Sequence, residues 1–317
     1  MSAESPTHQT VEAAPLADYT TFRLGGPCRR VIACPTPDVL QPVILDLIQT
    51  RTPYILIGGG SNLLVADRGV DAVVVRFFSD QPGITAGPDT VDVSGATLLD
   101  HLARWAVEAG LEGVNMCSGI PGTVGGAVIG NAGAFGRQIG DVLESVLLMD
   151  PQGRVSRCPA QDLELAYRRT RLQAGGEVVL SASLRLVPGD AVRLQAEREE
   201  ILALRRAKHP DWRSEPCIGS IFRNIEPTSK AGRRQAAGWF LEQAGVKGMR
   251  VGGAFIYPKH ANIIVRDPQG TASDVHDLSL RMAEAVQTRF GLRLEREVRF
   301  LGDFSDGSGG ERPAVFH

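Results

Sequence analysis

At 317 residues the chain is long enough for two domains with cores of their own, and 43% hydrophobic with 22% charged residues is a globular composition, which excludes a disordered or fibrous chain. Lysine and arginine (34) nearly balance aspartate and glutamate (36), so the net charge of −2 gives no long-range pull on nucleic acid or an anionic membrane, and any anionic ligand must be held locally. The cysteines, Cys28, Cys34, Cys117, Cys158 and Cys217, are scattered, odd in number and without a C-x-x-C, which argues against a disulfide framework or a zinc site and fits reduced thiols in a cytosol.

Residues 1–10 are polar, with no apolar stretch like that of a secretory signal, and no apolar run reaches membrane-spanning length. A cytoplasmic protein with no membrane partner is expected. Residues 1–15 read as a disordered lead-in, and the loop over 18–27 turns into the apolar run Val31-Ile32-Ala33. Thr36 and Pro37 predict a helix start, an N-cap followed by proline at the first position. Leu40, Val43, Ile44, Leu47 and Ile48 continue it at helical spacing. With a strand at 54–57 this makes a β-α-β unit that leaves through the glycine turn Gly58-Gly59-Gly60. Short strands are expected at 72–76 and 90–93. Thr97 then caps a helix carrying Leu98, Leu102, Trp105, Ala106 and Ala109 on one side and ended by Gly110.

Residues 117–136 read C-S-G-I-P-G-T-V-G-G-A-V-I-G-N-A-G-A-F-G, with seven glycines. Glycine weakens both helix and strand, so an irregular segment is expected. It can bring many backbone N–H groups to a ligand with no Cβ in the way, the concave arrangement that holds anionic oxygens. The earlier cluster, Gly58-Gly59-Gly60-Ser61-Asn62 after a buried strand, is a usual phosphate-facing arrangement. One such cluster alone is ordinarily a tight turn; two, the second this long, point to a nucleotide-type cofactor. Position 63 is leucine, so the Rossmann G-x-G-x-x-G is not met, and no G-K-[ST] completes a Walker A loop.

Strands are expected at 142–149 and 178–187, with a turn at Pro151-Gln152-Gly153. The composition shifts around Pro188-Gly189-Asp190, and a charged helix over 191–208 presents a solvated face and a packed stripe of Leu194, Ile201 and Leu204. A helix over 236–244 is stopped by Gly245, a strand follows at 262–265, and Ser273 caps a helix through Phe290 ended by Gly291. A last strand is expected over 292–301.

Three groups stand out by context. Ser220 follows glycine in an otherwise apolar stretch, Arg168 follows Tyr167 at the lip of the first domain, and Glu297 lies where strand alternation puts Glu295, Glu297 and Arg299 on one face. On spacing alone each has an ordinary explanation: a turn serine, a surface ion pair, a solvated strand face. The serine segment lacks the G-x-S-x-G of a hydrolase elbow, and no histidine pair has metal-ligand spacing, so neither acyl transfer nor metal-dependent hydrolysis is indicated and no metal site is expected.

Taken in order, the motifs resemble one family, the UDP-N-acetylenolpyruvoylglucosamine reductases, flavoenzymes of bacterial peptidoglycan precursor synthesis. The resemblance runs from Leu16 to Gly302. It rests on T-T-F-R-L-G-G at 20–26, G-G-G-S-N-L-L-V at 58–65, G-I-P-G-T-V-G-G-A at 119–127 with N-A-G at 131–133, and A-Y-R at 166–168. Further markers are G-S-I-F-R-N at 219–224, A-G-V-K-G-M-R-V-G-G-A at 244–254, K-H-A-N at 259–262 and E-V-R-F-L-G at 297–302.

The resemblance implies an α+β fold, with an FAD-binding domain of the vanillyl-alcohol-oxidase (PCMH) type over 16–190, a smaller α+β substrate-binding domain over 191–302, and a loose tail over 303–317. FAD would be cradled by Gly58, Gly59, Gly60, Ser61, Asn62, Ser118, Gly119, Ile120, Pro121, Gly122, Thr123, Gly125, Gly126, Ala127, Asn131, Ala132 and Gly133. NADPH would be the reductant, and UDP-N-acetylglucosamine enolpyruvate would receive hydride at C3 and a proton at C2. Ser220 matches the family's proton donor, and Arg168 and Glu297 the other two active-site residues. Arg223, Asn224 and Lys247 look like substrate contacts, the cations suited to a diphosphate. A monomer is expected, with no nucleic-acid partner.

Some positions depart from the family's pattern. Thr170 stands where serine is common after Tyr-Arg, Arg296 replaces a proline, Arg223 replaces lysine in some members, and the segment after Arg168 is short, like the subgroup lacking a tyrosine-bearing loop. Two rival readings remain at this level: an FAD-dependent oxidase or dehydrogenase of a hydroxy acid or alcohol on the same fold, and a non-catalytic nucleotide-binding relative.

Overall fold

A computed structural model of the chain describes residues 8–226 and 234–304. Its first module holds two sheets. In one, the parallel strands Arg30–Cys34, Val73–Phe77 and Tyr54–Ile57 lie side by side in that order, with helix α1 (Pro37–Gln49) crossing between the first and the last. The third strand therefore inserts between the two arms of the expected β-α-β unit. Thr36 caps α1, its hydroxyl accepting the Val39 N–H at 3.4 Å. At the other edge Gln9–Glu12 pairs antiparallel with Arg30–Cys34. Part of the lead-in is thus an ordered strand. All four of its residues are exposed, so its order comes from backbone pairing that no hydrophobic pattern announces.

The second sheet is antiparallel, ordered Val155–Pro159, Leu143–Met149, Val178–Leu184, Val91–Ser94 and Ile84–Ala86. Against it packs helix α2 (Leu99–Glu108), which buries Leu99, Leu102, Ala103 and Ala106. Thr97 is not its cap: the cap position is Leu98, and the buried Thr97 hydroxyl instead accepts the Gly83 N–H at 3.0 Å.

The glycine-rich segment contains a short helix, α3 (Val124–Ile129), where an irregular run was expected. Thr123 caps it through the Gly126 N–H. The glycine that weakens this helix also helps it pack: a Cβ on Gly125 would lie 3.1 Å from the Gly95 carbonyl and 3.4 Å from that of Val179, so the bare Cα lets α3 lie on the sheet without displacing either carbonyl.

Helix α4 (Ala191–Lys208), capped by Asp190, packs on α2. Its buried residues are Leu194 and Arg198, with Ile201 half-buried beside them, while Leu204 is 46% exposed. Arg198 forms a two-pronged pair with Asp100 of α2 (2.8 and 3.1 Å).

The second module joins helices α5 (Ala237–Gln243) and α6 (Ala272–Phe290) to the antiparallel strands Arg250–Val251, Ala254–Ile256 and Ile264–Arg266. Its core of Phe240, Leu241, Val275, Leu278 and Met282 also takes in Phe22, Leu24 and Leu64 from the first module. The cap of α6 is Thr271, in a reciprocal capping box with Asp274. Ser273 is drawn off to Asp67, which accepts the N–H groups of Ala272 and Ser273 and the Ser273 hydroxyl at 2.7–2.9 Å and so ties the modules together. Of the strand expected over 292–301 only Arg299–Leu301 forms, parallel to Leu63–Val65. Upstream of it, the Glu297 N–H goes to Ile221 O and Glu295 O accepts the Arg223 N–H, at 2.8 and 2.9 Å. Most of the expected tail lies outside the described residues; Phe304 stacks on His276.

Candidate active site

The strand Tyr54–Ile57 delivers residues 58–62 to the place where residues 119–123 arrive from α2. A Cβ on Gly58 would sit 2.5 Å from the Thr123 hydroxyl, and one on Gly59 3.1 Å from the Gly122 Cα, so Gly58 packs against the Thr123 side chain and Gly59 against the Gly122 backbone. Ser61 fastens them by donating to the Pro121 carbonyl at 3.1 Å. Beside this seam runs a groove of about 1780 Å³, larger than the ~300–1,000 Å³ that holds one drug-sized ligand. Both glycine segments line it, as do Gly125, Gly126, Ala127, Ala132 and Gly133.

Ser118 and Asn131 do not line the groove. Ser118 is fully buried, and Asn131 is spent on scaffolding: its amide donates to Ala166 O at 2.8 Å and its carbonyl accepts the Gly140 N–H at 3.0 Å.

Ser220, Arg168 and Glu297 all line the groove. A hydrogen-bond ladder crossing the modules holds two of them. Asn62 donates its side-chain amide to Glu297 O and accepts the Arg299 N–H (both 3.1 Å). The Glu297 N–H reaches Ile221 O at 2.8 Å, and the Ile221 N–H reaches Asn262 O at 2.9 Å. The Asn262 side chain, 2% exposed, accepts from Phe222 N at 3.0 Å and donates to Phe222 O at 2.8 Å. Ser220, paired opposite Ile263, is thereby clamped between Asn262 and the Glu297 segment.

Arg168 arrives from the other side, in a tight turn closed by mutual hydrogen bonds of Ala166 and Arg169 (3.0 and 3.1 Å). It adopts φ 53°, a left-handed backbone sparsely populated by residues other than glycine. Gln173 braces the turn through Arg168 O, and the guanidinium donates to Gly133 O at 2.9 Å. Its Nε lies 2.7 Å from Glu297 Oε1, an ion pair whose side chains are only 22% and 23% exposed. Burial pushes the Glu297 carboxyl above the usual carboxylate range; the charges of Arg168 and Arg223 pull it back only in part.

Arg223 and Asn224 line the groove, though the Asn224 side chain also accepts the Ala237 N–H at the start of α5. Lys247 does not: it pairs with Glu242 at 2.6 Å on the surface. Sequence reasoning missed Arg205, Lys208, Tyr257 and Lys259, which also line it. Arg205 had a legible signal, since Leu194, Arg198, Ile201 and Arg205 follow one helical stripe. Burial lowers the pKa of its guanidinium. His209, at the same wall, is pushed down to about 4 by burial and by neighbouring His260, so it is neutral near pH 7.

The site thus offers a hydroxyl, a guanidinium and a carboxyl beside a glycine-lined cradle. Among the described residues no cluster of histidine, cysteine or carboxylate could hold a metal ion.

Comparison with known proteins bears on the same regions. Residues 28–159 match the model of an FAD-binding domain family, and residues 210–301 that of the C-terminal domain of UDP-N-acetylenolpyruvoylglucosamine reductase. The reductase of that name from Heliobacterium modesticaldum is 37% identical, covering 96% of this chain and 95% of its own. That of Anaeromyxobacter dehalogenans is 39% identical over 92% of this chain and 85% of its own. Among solved structures, UDP-N-acetylenolpyruvylglucosamine reductase from Thermus caldophilus superposes with a TM-score of 0.75 at 32% identity, covering 93% of this chain and 98% of that one.

Proposed function

This chain belongs to the UDP-N-acetylenolpyruvoylglucosamine reductase family, and on that premise we propose a division of labour among its own residues. The enzyme is an FAD-containing oxidoreductase that uses NADPH to reduce UDP-N-acetylglucosamine enolpyruvate to UDP-N-acetylmuramate, a step of peptidoglycan precursor synthesis. Residues 58–62 and 119–123 with Gly125, Gly126, Ala127, Ala132 and Gly133 hold the FAD. The fit rests on the glycine-lined wall of the groove, whose two loops meet so closely that a side chain on Gly58 would collide with Thr123. The bound flavin supplies hydride chemistry between nicotinamide and substrate.

The protein's own groups handle charge and the proton. Arg168 places fixed positive charge and N–H donors beside the enolate that develops next to the substrate carboxylate. Ser220 donates its hydroxyl proton to C2; an alcohol is a weak acid, but an enolate carbon is basic enough to take the proton at hydrogen-bond range. Glu297, whose carboxyl burial holds above the usual carboxylate range, is the third group at the same oxygens and, in its protonated form, donates a hydrogen bond to them. Arg223, Asn224 and the missed cations Lys208 and Lys259 take the diphosphate side of the groove. One chain carries all of these groups, which supports a monomeric enzyme. A cytoplasmic location fits a substrate and reductant made there, and among the described residues no helix is long and apolar enough to cross a membrane.

The observation carrying this reading is that Ser220, Arg168 and Glu297 line one groove with both glycine segments. The purified protein is expected to be yellow and to sustain NADPH consumption over many turnovers only when the enolpyruvyl substrate is supplied. Ser220→Ala should leave flavin reduction by NADPH within about twofold and slow substrate reduction by about 10²–10⁴-fold. Equal losses in the two half-reactions would contradict the proton-donor role.

A further inference from the structure

Tyr167 has no role in the chemistry above, yet it joins the Arg168 turn to the second module. Its ring lines the groove. The Arg234 guanidinium lies over it, with Cζ 3.6 Å from the ring centroid, while Arg168 Cζ is 5.4 Å from the same centroid. The backbone of Asn224 hydrogen-bonds the phenol oxygen. Two like charges on one ring would repel, but each has its own carboxylate: Arg168 has Glu297, and Arg234 donates to Glu226 at 3.2 Å. Arg234 is also held from behind, because Ile225 and Gln235 exchange two backbone hydrogen bonds of 2.9 Å directly beside the Glu226–Arg234 pair. Arg234 does not line the groove. Whatever it does for the reaction, it does through Tyr167.

We propose that Arg234 is a positioning residue: stacked on Tyr167, it locks the 166–169 turn so that Arg168 keeps its left-handed backbone and its aim at Glu297 and the substrate. The inference rests on the role given to Arg168 above. A planar guanidinium suits this task, since it stacks on an aromatic face as an ammonium cannot.

The test separates the half-reactions in the FAD-loaded enzyme by anaerobic stopped flow. Arg234→Gln should slow reoxidation by the enolpyruvyl substrate by about fivefold and leave reduction by NADPH within about twofold. Arg234→Lys should recover part of the loss, Tyr167→Phe should retain the wild-type rate, and Tyr167→Leu should reproduce Arg234→Gln. In an Arg168→Ala background, Arg234→Gln should add nothing, because it acts through the group already removed. Wild-type reoxidation in Arg234→Gln, equal slowing of both half-reactions, or full additivity with Arg168→Ala would overturn the positioning role. If Arg168→Ala itself reoxidises at the wild-type rate, the reading of Arg168 fails, and this inference falls with it.

Discussion

A carboxyl buried beside two guanidinium groups is pulled both ways, and at Glu297 burial wins over Arg168 and Arg223. The sign has a consequence for pH. A carboxyl whose folded pKa lies above its unfolded value favours the folded state in the protonated form; that contribution is complete below the unfolded pKa and is lost as pH rises through the folded one. The same titration removes the hydrogen-bond donor proposed for the substrate. Substrate reduction should therefore decline as pH rises through the raised Glu297 pKa, while flavin reduction by NADPH lacks that limb. Glu297→Gln keeps a neutral donor and should lose the limb while retaining most of the rate; Glu297→Ala should lose about 10²–10³-fold. A pH profile unchanged in Glu297→Gln would assign the titration elsewhere. At this scale the sequence named the groups but not their state. Residue order says that a glutamate lies near a serine motif; only the 2.7 Å approach of Arg168 and the surrounding burial show that opposing influences act on its carboxyl and that burial prevails.

Among the elements, α4 shows what periodicity can and cannot find. Its charged residues hide a stripe that faces α2, and the arginine in that stripe sets the start of the second glycine segment. Arg198, 7% exposed, holds Asp100, and Asp100 accepts the Gly119 N–H at 2.7 Å. Burial alone would raise the Asp100 carboxyl; the Arg198 hydrogen bonds and the Gly119 N–H outweigh it, and the net shift is downward. Stability from this carboxylate is thus present above its unfolded pKa and lost as pH falls through the folded one. Arg198→Met should cost about 1–3 kcal/mol, less than a fully buried pair because Asp100 is partly solvated, and weaken FAD retention by about tenfold as the loop loosens. Asp100→Asn should flatten the acid side of the Tm–pH curve. Unchanged FAD retention in Arg198→Met would detach α4 from the cofactor loop. Strands and helices with a clear apolar period, such as α1, α2 and Leu143–Met149, were legible because burial writes that period into the sequence. The edge strand Gln9–Glu12 and helix α3 were not: the first has no buried side chain, and the second is helped to pack by a close approach to Gly95, which lies in another part of the chain.

For the molecule as a whole, the question is why a hydroxyl and a carboxyl from one module should meet a guanidinium and a glycine cradle from the other. The motif order places them in one family pattern, but the connection is made by the Asn62 side-chain amide on Glu297 O and by backbone hydrogen bonds between residues 297, 221 and 262, which carry no periodic signature. Asn262 closes this ladder, and its position in the K-H-A-N motif was visible while its task was not. Removing its side chain would leave both the N–H and the carbonyl of Phe222 buried without partners, at about 1–3 kcal/mol each. Asn262→Ala should therefore lower Tm and, measured well below that Tm, still slow substrate reduction by about tenfold or more through displacement of Ser220, since misplacement near 1 Å can cost 10²-fold. Flavin reduction by NADPH should change little. Leu278→Ala in the core of α6 is the matched control: about 2–5 kcal/mol less stable with the half-reactions preserved. If Asn262→Ala behaves like that control, losing stability alone, the ladder supports the fold without placing the serine, and the alignment of Ser220 with Glu297 must come from the substrate that draws them together.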